Sequence, residues 1–164
     1  VRAVAPGDRV RLSPLCSEET AEVVLVTVDE VKEAGGVDVC EYQGLYITPE
    51  HPIYLPLCQS DEAKRSTPGR WILPKDFLPV KRVGLNKVFD FELDVGHLVL
   101  INGVTVLTLG NNLQLGLNEE NEKLYGAEGW RQSRRRAQYV KEMEIRLHSS
   151  GLLEKVDAAL QGST

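Results

Sequence analysis

Cysteine, methionine, aromatic residues and long apolar runs are all scarce in this chain. Among 164 residues there are 3 cysteines, 1 methionine and an aromatic share of 6%. Cys16, Cys40 and Cys58 form no CxxC pair and no obvious disulfide framework, which leads us to expect a reducing, cytoplasmic setting. No apolar run approaches the roughly 18 to 20 residues that a spanning helix needs, so no membrane partner is expected. Arg2, Pro6, Gly7 and Asp8 interrupt the start too early for a signal peptide. Nor does the chain open on Met, so a processed product, a fragment or an excised domain is expected. Positive charge is not in excess either: the net charge of -5 argues against a nucleic-acid partner. Internal repeats and low-complexity stretches are absent. What remains is ordinary for one soluble globular domain, with 42% hydrophobic and 26% charged residues and enough length to bury a core.

The chain's chemistry gathers in Leu45-Tyr46-Ile47-Thr48-Pro49-Glu50-His51-Pro52-Ile53-Tyr54-Leu55. Pro49 and Pro52 remove backbone donors and fix φ, so the segment is a strand, a stiff corner and another strand. Such a corner can turn the Thr48 hydroxyl and the His51 imidazole toward one carbonyl or amide. Taken alone, the segment also reads as a surface turn with a solvated His.

Around it the pattern is one of short strands. Val10 and Leu12 alternate with Arg9 and Arg11 after the turn at Pro6-Gly7-Asp8. Val23 to Val31 is β-branched and reads as a strand; Gly35-Gly36 turns it back into Val37–Tyr42, predicting a hairpin of the two. Gln59 to Gly69 is a polar loop. Trp71 to Pro74 and Leu78 to Val83 are short strands broken by proline, and Val88 to Val95 alternates apolar with acidic residues. Asn102-Gly103 between two apolar runs is a strong hairpin signal. After Gly110 the character changes. Asn111 to Asn118 is amide-rich, and Gly126 to Trp130 reads as a loop whose Trp130 docks on something apolar. Arg136, Val140, Met143 and Leu147 then follow at helical spacing within Arg131 to His148, and a shorter helix carries Leu152, Leu153, Val156 and Leu160. Arg131, Arg134, Arg135 and Arg136 read as a solvated helix end rather than a phosphate grip. The expected division is a β domain over 1–110 and a loop and helical extension over 111–164.

Val88-Phe89-Asp90-Phe91-Glu92-Leu93-Asp94-Val95-Gly96-His97, running on to Asn102-Gly103, joins Thr48-Pro49-Glu50-His51 in resembling the Hint fold of inteins and hedgehog autoprocessing domains. Those families carry a T-x-x-H motif and a later V-[YF]-D-[LF]-x-[LV] strand followed by His and N-G. Pro6-Gly7-Asp8-Arg9-Val10 is similar to their P-G-D-x-V entrance. Trp71 to Phe77 and Val104 to Gly110 bring the chain closest to the Vint domain, a Hint-like module found beside von Willebrand factor A domains. There Thr-Leu-Gly is usually followed by His; here Asn111 stands in its place.

The resemblance implies an all-β horseshoe of short strands and hairpins, followed by one or two helices. It further implies a Cys or Ser at the start of the domain that attacks the carbonyl just upstream. Thr48 would be the hydrogen-bonding partner of the scissile amide, His51 the acid/base, His97 a neighbour at the same site, and Asp90 an orienting carboxylate. No Cys, Ser or Thr precedes Pro6, so a first strand with its nucleophile is expected to be missing. The His-Asn followed by Cys, Ser or Thr that splicing requires is absent: Asn111 and Asn112 are followed by Asn and Leu. The expected activity is therefore N-terminal self-cleavage without splicing, with the upstream polypeptide (a von Willebrand factor A-type region) as partner and no cofactor. A non-catalytic protein-interaction module of the same fold is the alternative. A metal held by His51, His97 and Cys58 is a weaker reading, since that spacing matches no usual site.

Overall fold

A computed structural model describes residues 4–30, 34–56, 69–111 and 127–149. Ten strands fill most of it: β1 (Arg9–Arg11), β2 (Thr20–Glu30), β3 (Val37–Tyr42), β4 (Leu45–Ile47), β5 (Ile53–Leu55), β6 (Arg70–Ile72), β7 (Lys81–Val83), β8 (Lys87–Leu93), β9 (Leu98–Ile101) and β10 (Val104–Leu107). Helices α1 (Ala127–Arg131) and α2 (Arg134–Ser149) follow. The strands form three small antiparallel sheets, ordered β1-β2-β8, β6-β5-β10-β9 and β4-β3-β7. An all-β body with helices at its end is the expected fold class. No described helix is long and apolar enough to cross a membrane.

β2 shows how one strand serves two cores. Ala21, Val23, Leu25 and Thr27 are buried in strict alternation. Between Val23 and Leu25 the register with β8 slips by one residue, so Val23 faces Leu93 while Leu25 faces Glu92. A bulge of this kind turns the strand over. Val23 accordingly packs with Leu12, Ile53, Val99 and Val106, whereas Leu25 packs with Leu98, Leu107, Leu109 and Trp130. β10 lies between the two clusters, and all four of its residues are buried. The turn that feeds it is the two-residue Asn102-Gly103, both at positive φ, as a type I′ hairpin turn demands.

One expected pairing does not occur. β2 and β3 do not make a hairpin: β2 lies between β1 and β8, and β3 between β4 and β7. The Gly35-Gly36 turn diverts the chain to another sheet. Gly36 (φ +99) lies so close to β7 that a Cβ there would stand 1.7 Å from the Val83 carbonyl oxygen, so only glycine fits.

The helices differ from expectation in two respects. Residues 127–131 are helical rather than loop-like, and Trp130 docks as expected, 1% exposed in the second cluster. Val140 and Met143 pack against that cluster, joined by Tyr139. Nor is the basic cluster simply solvated. Arg136 forks onto Glu92 (2.8 and 2.9 Å), and Arg135 pairs with Asp29. The Leu147 side chain, the second tail helix, the 59–68 part of the polar loop and residues 112–118 of the amide-rich stretch lie outside the described residues.

Candidate functional site

Thr48 and His51 stand on the proline corner between β4 and β5, where the chain passes from one sheet to another. The His51 N–H donates to the Thr48 carbonyl (3.0 Å), closing a one-turn loop, and Pro52 is fully buried behind it. The His51 side chain is 11% exposed. Its Nε2 lies 2.7 Å from the Leu107 carbonyl oxygen. A carbonyl only accepts, so Nε2 carries the proton and Nδ1 is the ring atom turned toward Asp90. Nδ1 and Asp90 Oδ2 are 3.7 Å apart, beyond a good hydrogen bond but within ion-pair range.

Asp90 is brought here by β8. Its strand alternates, yet its acids do not face water. Asp90 pairs across the ladder with buried Thr27, and Glu92 with buried Leu25, while Phe89 of the other phase is 52% exposed. Burial pushes the Asp90 carboxyl above the usual carboxylate range, opposed by the His51 imidazole and by the Phe91 N–H that its Oδ1 accepts at 2.8 Å.

These groups share a cavity of about 310 Å³. Thr48, His51, Lys87, Asp90 and Thr108 supply the polar part of its wall, and residues such as Val39, Ile47, Phe91, Val99 and Val106 supply the apolar part. Thr108 was not apparent from the sequence. Its buried Oγ1 has no hydrogen-bond partner among the described residues. A hydroxyl on the same largely apolar cavity wall as an imidazole and a carboxylate can polarise a carbonyl and move a proton to a departing nitrogen.

His97 is placed differently. It follows Gly96 in a left-handed turn (φ 54) and does not line this cavity. Its backbone carbonyl accepts from the Thr108 N–H at 2.9 Å, one residue beyond the carbonyl that holds His51. Burial holds its imidazole below the ordinary range, helped by the Arg131 charge and opposed by Glu92 and Asp94. Its buried Nδ1 has no hydrogen-bond partner among the described residues. Asn111 is buried, with its amide donating to the Thr108 carbonyl (3.4 Å). Cys40 is buried in the first core, Cys16 is half-buried near Gly96, and Cys58 lies outside the described residues. Among the described residues no three His, Cys, Asp or Glu side chains gather as a metal site.

Sequence reasoning also missed Glu92. Its carboxylate accepts from the Trp130 indole N–H (2.8 Å) and from the Arg136 fork. Burial works to raise its pKa, but Arg136 and Trp130 outweigh this and hold it below the carboxylate range. The alternation put Glu92 on the same face as Asp90, and a buried tryptophan needs an acceptor. Those two signals together could have found it.

A family model described as Vint, a Hint-domain, matches residues 1–142, which takes in the strands and the helical residues as far as Glu142. No curated protein matches the chain.

Proposed function

The chain belongs to the Vint family of Hint domains, and from that premise we propose that it is an autoprocessing domain. It cleaves the peptide bond at its own N-terminal junction when a Cys or Ser nucleophile precedes it. The observation that supports this reading is the alignment of His51 between the Leu107 carbonyl and Asp90, with Thr48 on the same cavity wall.

The nucleophile's sulfur or oxygen attacks the upstream carbonyl carbon. The new C–S or C–O bond replaces the C–N bond, giving a thioester or ester and a free α-amine. Thr48 hydrogen-bonds the scissile amide, and His51, held by Leu107 at Nε2, takes the nucleophile's S–H or O–H proton on Nδ1 and passes it to the departing nitrogen. Asp90 orients the ring and balances its charge. Water then resolves the ester or thioester. Splicing is not part of the reading, because Asn111 and Asn112 are followed by Asn and Leu. His97 contributes through its backbone, which sets the strand end that holds His51. The upstream polypeptide, in our reading a von Willebrand factor A-type region, is both substrate and first partner, and the setting is cytoplasmic.

The test is intact mass of the chain extended upstream, with and without dithiothreitol. Thiol-accelerated cleavage ahead of Val1, slowed roughly 10² to 10⁴-fold by His51→Ala, is expected. An uncut chain bearing a Cys or Ser at that junction would overturn the proposal. It would favour a non-catalytic interaction module, a reading that the exposed Tyr46, Leu85 and Phe89 on the cavity's rim also suit.

A further inference from the structure

Two carboxylates flank Asp90 on its own face of the β2–β8 ladder. Glu92 is two residues along β8, and Asp29 is two residues beyond Thr27, the cross-strand partner of Asp90. The helices hold both. Arg136 forks onto Glu92, with Trp130 donating to the same carboxylate. Arg135 pairs with Asp29, and the Tyr139 hydroxyl donates to Asp29 Oδ1 (2.6 Å) while lying 3.0 Å from the Val28 carbonyl.

We propose that Arg136 and Trp130 are positioning residues of the candidate site: by gripping Glu92 they set β8 where the Asp90 carboxylate meets His51. The proposal deepens the autoprocessing reading and rests on Asp90 as its orienting group. A bidentate guanidinium fixes direction as well as distance, which a single contact does not. Trp130 is buried in the second core, so the grip is anchored to packing rather than to a solvated side chain. Asp90 and Glu92 share one short stretch of strand, and a displacement at Glu92 is carried to Asp90. The 3.7 Å between Asp90 and His51 leaves little room for such a shift. The charged groups acting on Asp90 are His51 from the proline corner, Asp29 from β2 and Arg135 from α2; Arg135 works against the effect of burial and Asp29 with it. The family match reaches Glu142 and so includes Trp130, Arg135, Arg136 and Tyr139.

The experiment is NMR on the isotopically labelled full chain, following the Asp90 carboxyl carbon titration and the His51 ring resonances. In Arg136→Gln the Asp90 titration is expected to move further above the ordinary carboxylate range, because the His51 imidazole no longer opposes the effect of burial. The His51 resonances should move as they do in Asp90→Asn. Arg136→Lys, which restores charge without the fork, should return both partway, and exposed Arg134→Gln should leave them in place. In the upstream-extended chain, Arg136→Gln should slow cleavage roughly ten- to a hundredfold. Should Arg136→Gln fail to fold, Glu92→Gln gives the same reading, because it keeps an acceptor for Trp130 and loses only the charged fork. Unmoved Asp90 and His51 signals in a folded variant would overturn the positioning role. Moved signals in a chain that never cleaves would uphold it while the cleavage reading falls.

Discussion

Asp90 is an aspartate held against its own solvation. Burial disfavours its charge, and the imidazole 3.7 Å away only partly offsets that cost. Because its folded pKa is raised above 3.8, the folded chain binds a proton between that value and the raised one that the unfolded chain does not. Stability contributed at this group is therefore greatest below about 3.8 and is lost as pH rises through the folded pKa. Asp90→Asn removes the burial cost of the charge. It should melt higher than the wild type at pH 7, with the difference shrinking as pH falls toward 4, while the extended chain cleaves more slowly. Thermal unfolding followed by circular dichroism at the two pH values, beside the mass assay, checks both arms. A variant less stable than the wild type at pH 7 would mean that the pair with His51 outweighs desolvation.

At the scale of elements, Val37–Tyr42 was legible to the residue from its alternation, and β9 and β10 from Asn102-Gly103. Motif resemblance singled out Thr48, His51, Asp90 and His97 as candidates; the structure brings the first three to one cavity and leaves His97 outside it. The β2–β3 pairing was misread because a Gly-Gly turn reports that the chain reverses, not which strand it will meet. The bulge at Val24 left no mark either, since an unbroken β-branched run looks the same with or without it. That bulge gives the second core its β2 residue, Leu25, and puts Glu92 opposite it beneath the helices. Trp130 then closes this core. Trp130→Ala should cost about 3 to 5 kcal/mol of unfolding free energy, read from urea unfolding. A loss below about 1 kcal/mol would show that α1 is not part of the cooperative unit.

Over the whole molecule, the helical segment covers an apolar surface that the β domain cannot cover itself. Leu25, Leu98, Leu107 and Leu109 are each no more than 5% exposed with the helices in place. A chain ended at Gly110 would uncover them beside β2 and β10. It should bind an apolar dye and self-associate, whereas a chain ended after Ser149 should remain monodisperse by light scattering. A well-behaved 1–110 fragment would show that the β domain stands alone.

Three sheets meet at His51. The proline corner joins β4 of one sheet to β5 of a second, Leu107 ends β10 of that second sheet, and Asp90 comes from β8 of the third. These residues are far apart along the chain, so their meeting requires the closure of long loops between all three sheets. In the proposed autoprocessing reading the arrangement works as an interlock: a half-assembled chain has not yet brought His51, Leu107 and Asp90 together, and the bond upstream is safe until the domain has closed.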